Sequence, residues 1–216
     1  MALIGKAQQS PAKPAQAQQA QAKPAQAQQS LSQQPQPPHL RTAGKTKQLV
    51  IGQEPFLVLG GELGNSSASD LEYMKPIWPK LQAMHLNTVL LPVYWEILEP
   101  KEGTFDFTLV DSLVASARLY NLKLVLLWFG AWKNSMSCYA PEWVKTNQAR
   151  FPRAVNRAGK GLEILSAFSR NNLEADSRAF SALMKHLRDT DSEQTVIMVQ
   201  VENEIGMLTE AREYTE

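Results

Sequence analysis

From Gln48 onward the chain alternates short apolar runs with longer amphipathic stretches. Gln48-Leu49-Val50-Ile51 and Phe56-Leu57-Val58-Leu59 flank Gly52-Gln53-Glu54-Pro55. They read as a hairpin with a glycine turn, its second limb running into Gly60-Gly61-Glu62. Ser69 or Asp70 is placed to cap a helix with Leu71, Met74, Ile77, Trp78, Leu81 and Met84 on one face, made irregular by Pro76 and Pro79. Thr88 to Tyr94 is a second apolar strand, and Leu109 to Tyr120 a helix with Leu109, Leu113, Ala117 and Tyr120 on one side. Lys123 to Trp128 is a third strand. A long loop follows it, and loops of that length inside compact domains are often functional. Asn171 or Asn172 then caps a helix from about Leu173 to Arg188. The last run, Val196-Ile197-Met198-Val199-Gln200-Val201, fits a buried parallel strand and leads directly into Glu202-Asn203-Glu204, with Gly206 beyond.

Strands alternating with helices imply parallel βαβ units joined by right-handed crossovers. A doubly wound sheet and a (β/α)8 barrel both give that alternation. No glycine-rich phosphate loop opens any of the helices, which weighs against the doubly wound sheet. Each apolar strand is followed by acidic or aromatic residues: Glu62, Trp95 with Glu96, Trp128 with Trp132, and Glu202 with Glu204. Chemistry collected at the carboxyl ends of strands is the mark of a barrel. The fold expected is α/β, a TIM (β/α)8 barrel. With 216 residues in the chain, against ~250 for a complete barrel, residues 48–216 are read as about its first four β/α units.

Residues 1–47 are different. Gln, Ala and Pro dominate, and Ala12-Lys13-Pro14-Ala15-Gln16-Ala17-Gln18-Gln19 recurs verbatim from Ala22 to Gln29. Such a repeat has no apolar face to bury, and its prolines interrupt any helix, so a disordered tail is expected. Lys6, Lys13, Lys23, Arg41, Lys45 and Lys47 give it +6, which leaves about −5 for the remainder of a chain whose net charge is +1. Six spread cations are read as solvating charge. No basic-aromatic cluster points to nucleic acid. Cys138 is the single cysteine, so no internal disulfide forms. No stretch reaches the length of a membrane span. His39, His85, His186 and Cys138 do not cluster in the sequence, so no metal and no other cofactor is expected. Met1-Ala2-Leu3-Ile4-Gly5 is too short for the apolar core of a signal peptide. The compartment stays open: a leader upstream would make the protein periplasmic or secreted, and otherwise it is cytoplasmic.

Rings beside carboxylates suit a carbohydrate substrate, because apolar sugar faces stack on aromatics while hydroxyls need charged acceptors. Glycoside hydrolysis needs two carboxyl groups across the scissile bond, one kept protonated to protonate the leaving oxygen. Several candidates carry a plainer reading beside this one. Trp95 and Trp128 serve as sugar platforms or as core. Glu96 is a site residue or the partner of a cation on a neighbouring helix, and Glu202 is a site residue or half of a structural ion pair. Trp132, Lys133 and Asn134 lie on the long loop.

Gln200-Val201-Glu202-Asn203-Glu204-Ile205-Gly206 resembles the fourth-strand signature of glycoside hydrolase family 35, the β-galactosidases of the retaining (β/α)8 clan. Leu98-Glu99-Pro100-Lys101-Glu102-Gly103-Thr104-Phe105-Asp106-Phe107 resembles the second-strand loop of the same family and is also similar to family 42. Gly60-Gly61-Glu62 resembles the end of the family's first strand. The resemblance implies that Glu204 is the catalytic acid/base and that Asn203 contacts the sugar 2-hydroxyl. It implies further that Glu202 and Glu62 touch the sugar or support groups that do. Trp95, Glu96, Trp128, Trp132 and Asn134 complete the substrate-binding set. Two positions depart from the family: Pro92 stands where a Tyr is common, and Ala131 where a Glu precedes the loop Trp. Both are associated with galactose contacts, so the sugar stays open. The resemblance also places the nucleophile on a seventh strand, beyond residue 216, so this chain by itself is expected to be inactive. A family 42-like or other same-clan glycosidase, and a catalytically dead sugar-binding barrel, are the alternatives. Half a barrel exposes strand edges, so homo-oligomerisation or aggregation is expected.

Overall fold

The computed structural model describes residues 36–134, 136–206 and 210–215. The repeat in the tail lies outside the described residues. An antiparallel three-stranded sheet comes first: β1 (His39–Ala43), β2 (Thr46–Ile51) and β3 (Glu54–Pro55). β1 lies within the stretch that composition assigns to the tail, so ordered structure begins upstream of residue 48. Gly52, at φ +63°, makes the β2–β3 turn. The second limb is shorter than its apolar pattern implies. Phe56 still donates its N–H to the Leu49 carbonyl at 2.8 Å, but Leu57 and Leu59 are exposed. Their backbone is held by the Asn87 side chain, which accepts from Leu59 N–H and donates to the Leu57 carbonyl, each at 2.8 Å. An amide side chain there does the work of a strand partner.

The second sheet is parallel and organises the molecule. Its strands are β4 (Gly60–Glu62), β5 (Thr88–Tyr94), β6 (Lys123–Phe129) and β9 (Val196–Val201). They stand side by side in chain order. Between them lie α1 (Leu71–Met74) and α2 (Trp78–Ala83), then α3 (Trp95–Leu98) and α4 (Thr108–Leu119). The last crossover carries α5 (Glu142–Lys145), a hairpin of β7 (Arg153–Val155) and β8 (Gly161–Leu165), and α6 (Arg170–Thr190). Asp70 caps α1, accepting from the N–H groups of Glu72 and Tyr73. Ser169 caps α6, not Asn171 or Asn172; its hydroxyl accepts from Asn172 N–H at 3.3 Å. Asn172 is buried instead, donating to the carbonyls of Pro152 and Ser166.

Strand order decides the architecture. With right-handed crossovers and no reversal of direction, every crossover helix falls on the same face. A doubly wound sheet reverses and covers both faces. The register Thr88↔Lys123 through Tyr94↔Phe129 puts Val89, Leu91 and Val93 on one face with Leu124, Leu126 and Trp128. That is the helix side, since Trp128 packs on Phe180 of α6 at 5.8 Å between centroids. The other face carries Leu90, Pro92 and Tyr94 beside Val125, Leu127 and Phe129, flanked by Glu62 on β4 and by Met198 and Gln200 on β9. Exposure on this concave face rises toward the outer strands, where Glu62, Met198 and Gln200 are exposed. The described strands form an arc of an α/β barrel, and all four carboxyl ends share one rim.

Candidate active site

Just beyond the end of β9 the backbone leaves ordinary geometry twice within three residues. Glu202 and Glu204 both have positive φ, +58° and +43°. Non-glycine residues rarely adopt that region, and such strain concentrates at functional sites. Cross-links to the loop after β6 hold the turn. Asn203 donates its backbone N–H to the Trp132 carbonyl at 3.3 Å. Its side-chain amide donates to the Lys133 carbonyl at 3.1 Å, and its Oδ1 accepts from Gln200 Nε2 at 2.7 Å. The Trp132 indole N–H donates to the Glu204 carbonyl at 3.0 Å. The Glu204 side chain is left in the open, 63% exposed, with Oε2 3.4 Å from Lys133 Nζ. Lys133 is itself buried, its ammonium 5.8 Å from the centre of the Phe129 ring.

Glu202 points the other way. Its Oε2 accepts from Trp132 N–H at 2.9 Å, and its carboxyl lies beside that of Asp176 on α6, with which it lines one cleft. Burial first, then the Asp176 carboxyl beside it, holds the Glu202 carboxyl far above the usual carboxylate range. Asp176 also accepts from the Trp128 indole N–H at 2.8 Å and from Ala131 N–H at 3.1 Å. This close approach depends on Gly130: a Cβ there would lie 2.5 Å from both Asp176 Oδ1 and Trp128 Nε1. Next to the pair lies a cleft of about 450 Å³, lined by Trp132, Phe168, Leu173, Ile205 and Arg212 among others.

The residues singled out from sequence divide accordingly. Trp132, Glu202, Asn203 and Glu204 come together at one strand end. Glu62 is exposed on the same rim at the opposite side of the arc. Trp95 and Trp128 are buried, with no ring face open to a sugar: Trp95 donates to Glu99 Oε2 at 2.8 Å and packs edge-on against Trp143, and Trp128 serves Asp176. Glu96 forms an ion pair with Lys145 of α5 at 3.0 Å. Asn134 Oδ1 accepts from Met136 N–H and Ser137 Oγ and so closes its own turn.

Two carboxylates escaped the sequence reading of the site. Asp176 sits mid-helix among polar neighbours, and nothing local marks it. Glu99, at the heart of the second-strand motif, is fully buried. It accepts from Trp95 Nε1, Gly103 N–H at 2.7 Å and Arg178 at 2.9 Å, which explains why that loop needs an acid. Among the described residues no group of three or more His, Cys, Asp or Glu is arranged to hold a metal ion, and no helix is long and apolar enough to cross a membrane.

Residues 68–216 match the family model of glycoside hydrolase family 42, described as β-galactosidase. The chain is 29% identical over 167 residues to the mouse β-galactosidase-1-like protein 3, covering 74% of this chain and 23% of that protein. It is 27% identical over 172 residues to a β-galactosidase of Xanthomonas manihotis, covering 77% and 27%. The chain therefore spans about a quarter of the length of these curated relatives. Among solved structures it resembles a family 42 β-galactosidase from G. stearothermophilus (TM-score 0.55, 21% identity, 69% of this chain and 21% of that one). It also resembles an exo-β-1,4-mannosidase from an Opitutaceae bacterium (TM-score 0.51, 17% identity, 70% and 25%). At these identities the structural likeness speaks to the barrel fold alone. The family matched is 42, and nothing among the comparisons singles out family 35.

Proposed function

Because the chain belongs to glycoside hydrolase family 42, the β-galactosidases, we propose that the full-length protein is a retaining exo-glycosidase acting on terminal β-galactoside-type sugars. The observation that carries this reading is the end of β9: Asn203 is pinned to the loop after β6 by its backbone and side chain, while the adjacent Glu204 carboxyl stands exposed on the barrel rim. Glu204 acts as the acid/base. It protonates the leaving oxygen in the first step and then removes a proton from the incoming water. Asn203 offers its amide to the neighbouring sugar hydroxyl, and Glu62, across the arc, is a further sugar contact. The nucleophile is a second carboxylate from a later strand, so residues 1–216 alone leave aryl β-galactosides unhydrolysed.

Pro92 and Ala131 favour a second reading, another glycosidase of the same clan with a different sugar. The motif Gln200 to Gly206 in turn favours a family 35-like subgroup for the finer assignment. A panel of aryl β-glycosides separates the sugars. The acid role is tested with Glu204→Gln in the full-length enzyme. Turnover of substrates with poor leaving groups should fall by ~10²–10⁴-fold, with a much smaller loss on activated aryl glycosides, which need less proton donation. Equal loss on both classes would sink the assignment.

A further inference from the structure

Two neighbouring carboxyl groups, Asp176 on α6 and Glu202 after β9, accept from the successive N–H groups of Ala131 and Trp132, line one cleft, and take no direct part in the chemistry given to Glu204. Both are wrapped in donors. Asp176 accepts from the Trp128 indole on Oδ1 and from Ala131 N–H on Oδ2, and Glu202 accepts from Trp132 N–H. The cations around the site have other partners: Lys133 pairs with Glu204, Arg178 with Glu99, and Arg212, which lines the same cleft, lies over the Tyr214 ring. Two bare carboxylates cannot share such a site: an acceptor facing an acceptor repels, and a single proton turns the repulsion into a strong O–H···O⁻ bond. The count of donors then closes. Asp176, as the anion, receives an indole N–H, a backbone N–H and the Glu202 hydroxyl. Glu202, as the acid, gives one proton and accepts from Trp132.

We propose that Asp176 and Glu202 hold one proton between them, with Glu202 as the acid, and that the pair positions Glu204 through Trp132. The route is short. Glu202 fixes the Trp132 main chain at 2.9 Å, the Trp132 indole fixes the Glu204 carbonyl at 3.0 Å, and the Trp132 carbonyl fixes Asn203 N–H at 3.3 Å. Glu202 is thus a positioning residue, held neutral and away from the sugar. This role rests on Glu204 being the acid; the shared proton does not.

Two readouts on the full-length protein test both halves. Glu202→Ala removes the anchor of Trp132 and should lower kcat about 100-fold through misplacement of Glu204. Glu202→Gln keeps a neutral group that donates to Asp176 and accepts from Trp132. It should recover at least about tenfold of that loss, with KM little changed. If Gln is as damaging as Ala, Glu202 is needed as an anion and the proposal falls. Infrared difference spectroscopy of wild type against Glu202→Gln at neutral pH should show the carbonyl band of a protonated carboxylic acid only in the wild type. Absence of that band from the wild type overturns the shared proton even if the enzyme is active. An inactive wild type that keeps the band sinks the functional reading and leaves the proton pair standing.

Discussion

A carboxyl whose proton affinity is raised by burial and by a second carboxyl makes stability depend on pH in a definite direction. Glu202 titrates far above its ordinary value of 4.5 in the folded chain. Between that ordinary value and the raised one, the folded state binds a proton that the unfolded state has released. Stability from this group is therefore complete below pH ~4.5 and declines as pH rises, by at most ~1.4 kcal/mol per pH unit. Glu202→Gln removes that dependence. The Tm gained by Glu202→Gln over wild type should accordingly be larger at pH 8.5 than at pH 5.5, by calorimetry; an equal difference at the two values would refute the raised affinity. The tryptophans teach a related lesson. Trp95 and Trp128 stand next to strand ends rich in acids, and composition alone suits them to a sugar. In the fold their N–H groups serve the carboxylates of Glu99 and Asp176 instead. Residue type was legible there. The face of the strand and the partner across space were not.

Elements came through more faithfully than their ends. Periodicity alone gives β5, β6 and β9 within a residue of where they stand; β5 and β6 are continuous apolar runs buried on both faces, whereas β9 carries the same kind of run with Met198 and Val201 exposed. α4 follows from its 3.6-residue stripe. The cap of α6 was misread because Asn171 and Asn172 are as good capping types as Ser169. What separates them is tertiary: Asn172 is drawn inward by the carbonyls of Pro152 and Ser166. Ser169→Ala should therefore cost ~0.5–2 kcal/mol, read as a lower Tm. Asn171→Ala should cost less, since its amide reaches only the Arg150 carbonyl from an exposed position. The limb Phe56 to Leu59 was the other misreading: its apolar pattern says strand, yet the Asn87 amide satisfies the backbone and leaves Leu57 76% exposed.

At the scale of the molecule the arc is open. Met198 and Val201 on β9 are 48% and 60% exposed, and Ile205 beyond it 74%. β9 has β6 on one side, and no described strand pairs with its other edge. Exposed apolar strands with a free edge recruit further strands. Residues 36–216 produced alone should associate, and light scattering should give a mass that rises with concentration. Met198→Lys, placing a charge on that concave face, should reduce the association; a monomer at all concentrations would argue that the exposed face and edge are harmless.

The sequence by itself determined the alternation of strands and helices and the Asn203-Glu204 pair at the end of an apolar strand. These are local facts, set by periodicity, composition and adjacency, and each survives without knowing what lies nearby in space. Tertiary structure decided the barrel over the doubly wound sheet, because only strand order shows that every crossover helix lies on one face. It decided which tryptophans are core, since a residue's side of the sheet depends on register. And it brought Asp176, 26 positions before Glu202 in the chain, beside it: the two carboxyls accept from the successive N–H groups of Ala131 and Trp132, which no spacing rule connects, and Gly130 leaves the room that Asp176 needs.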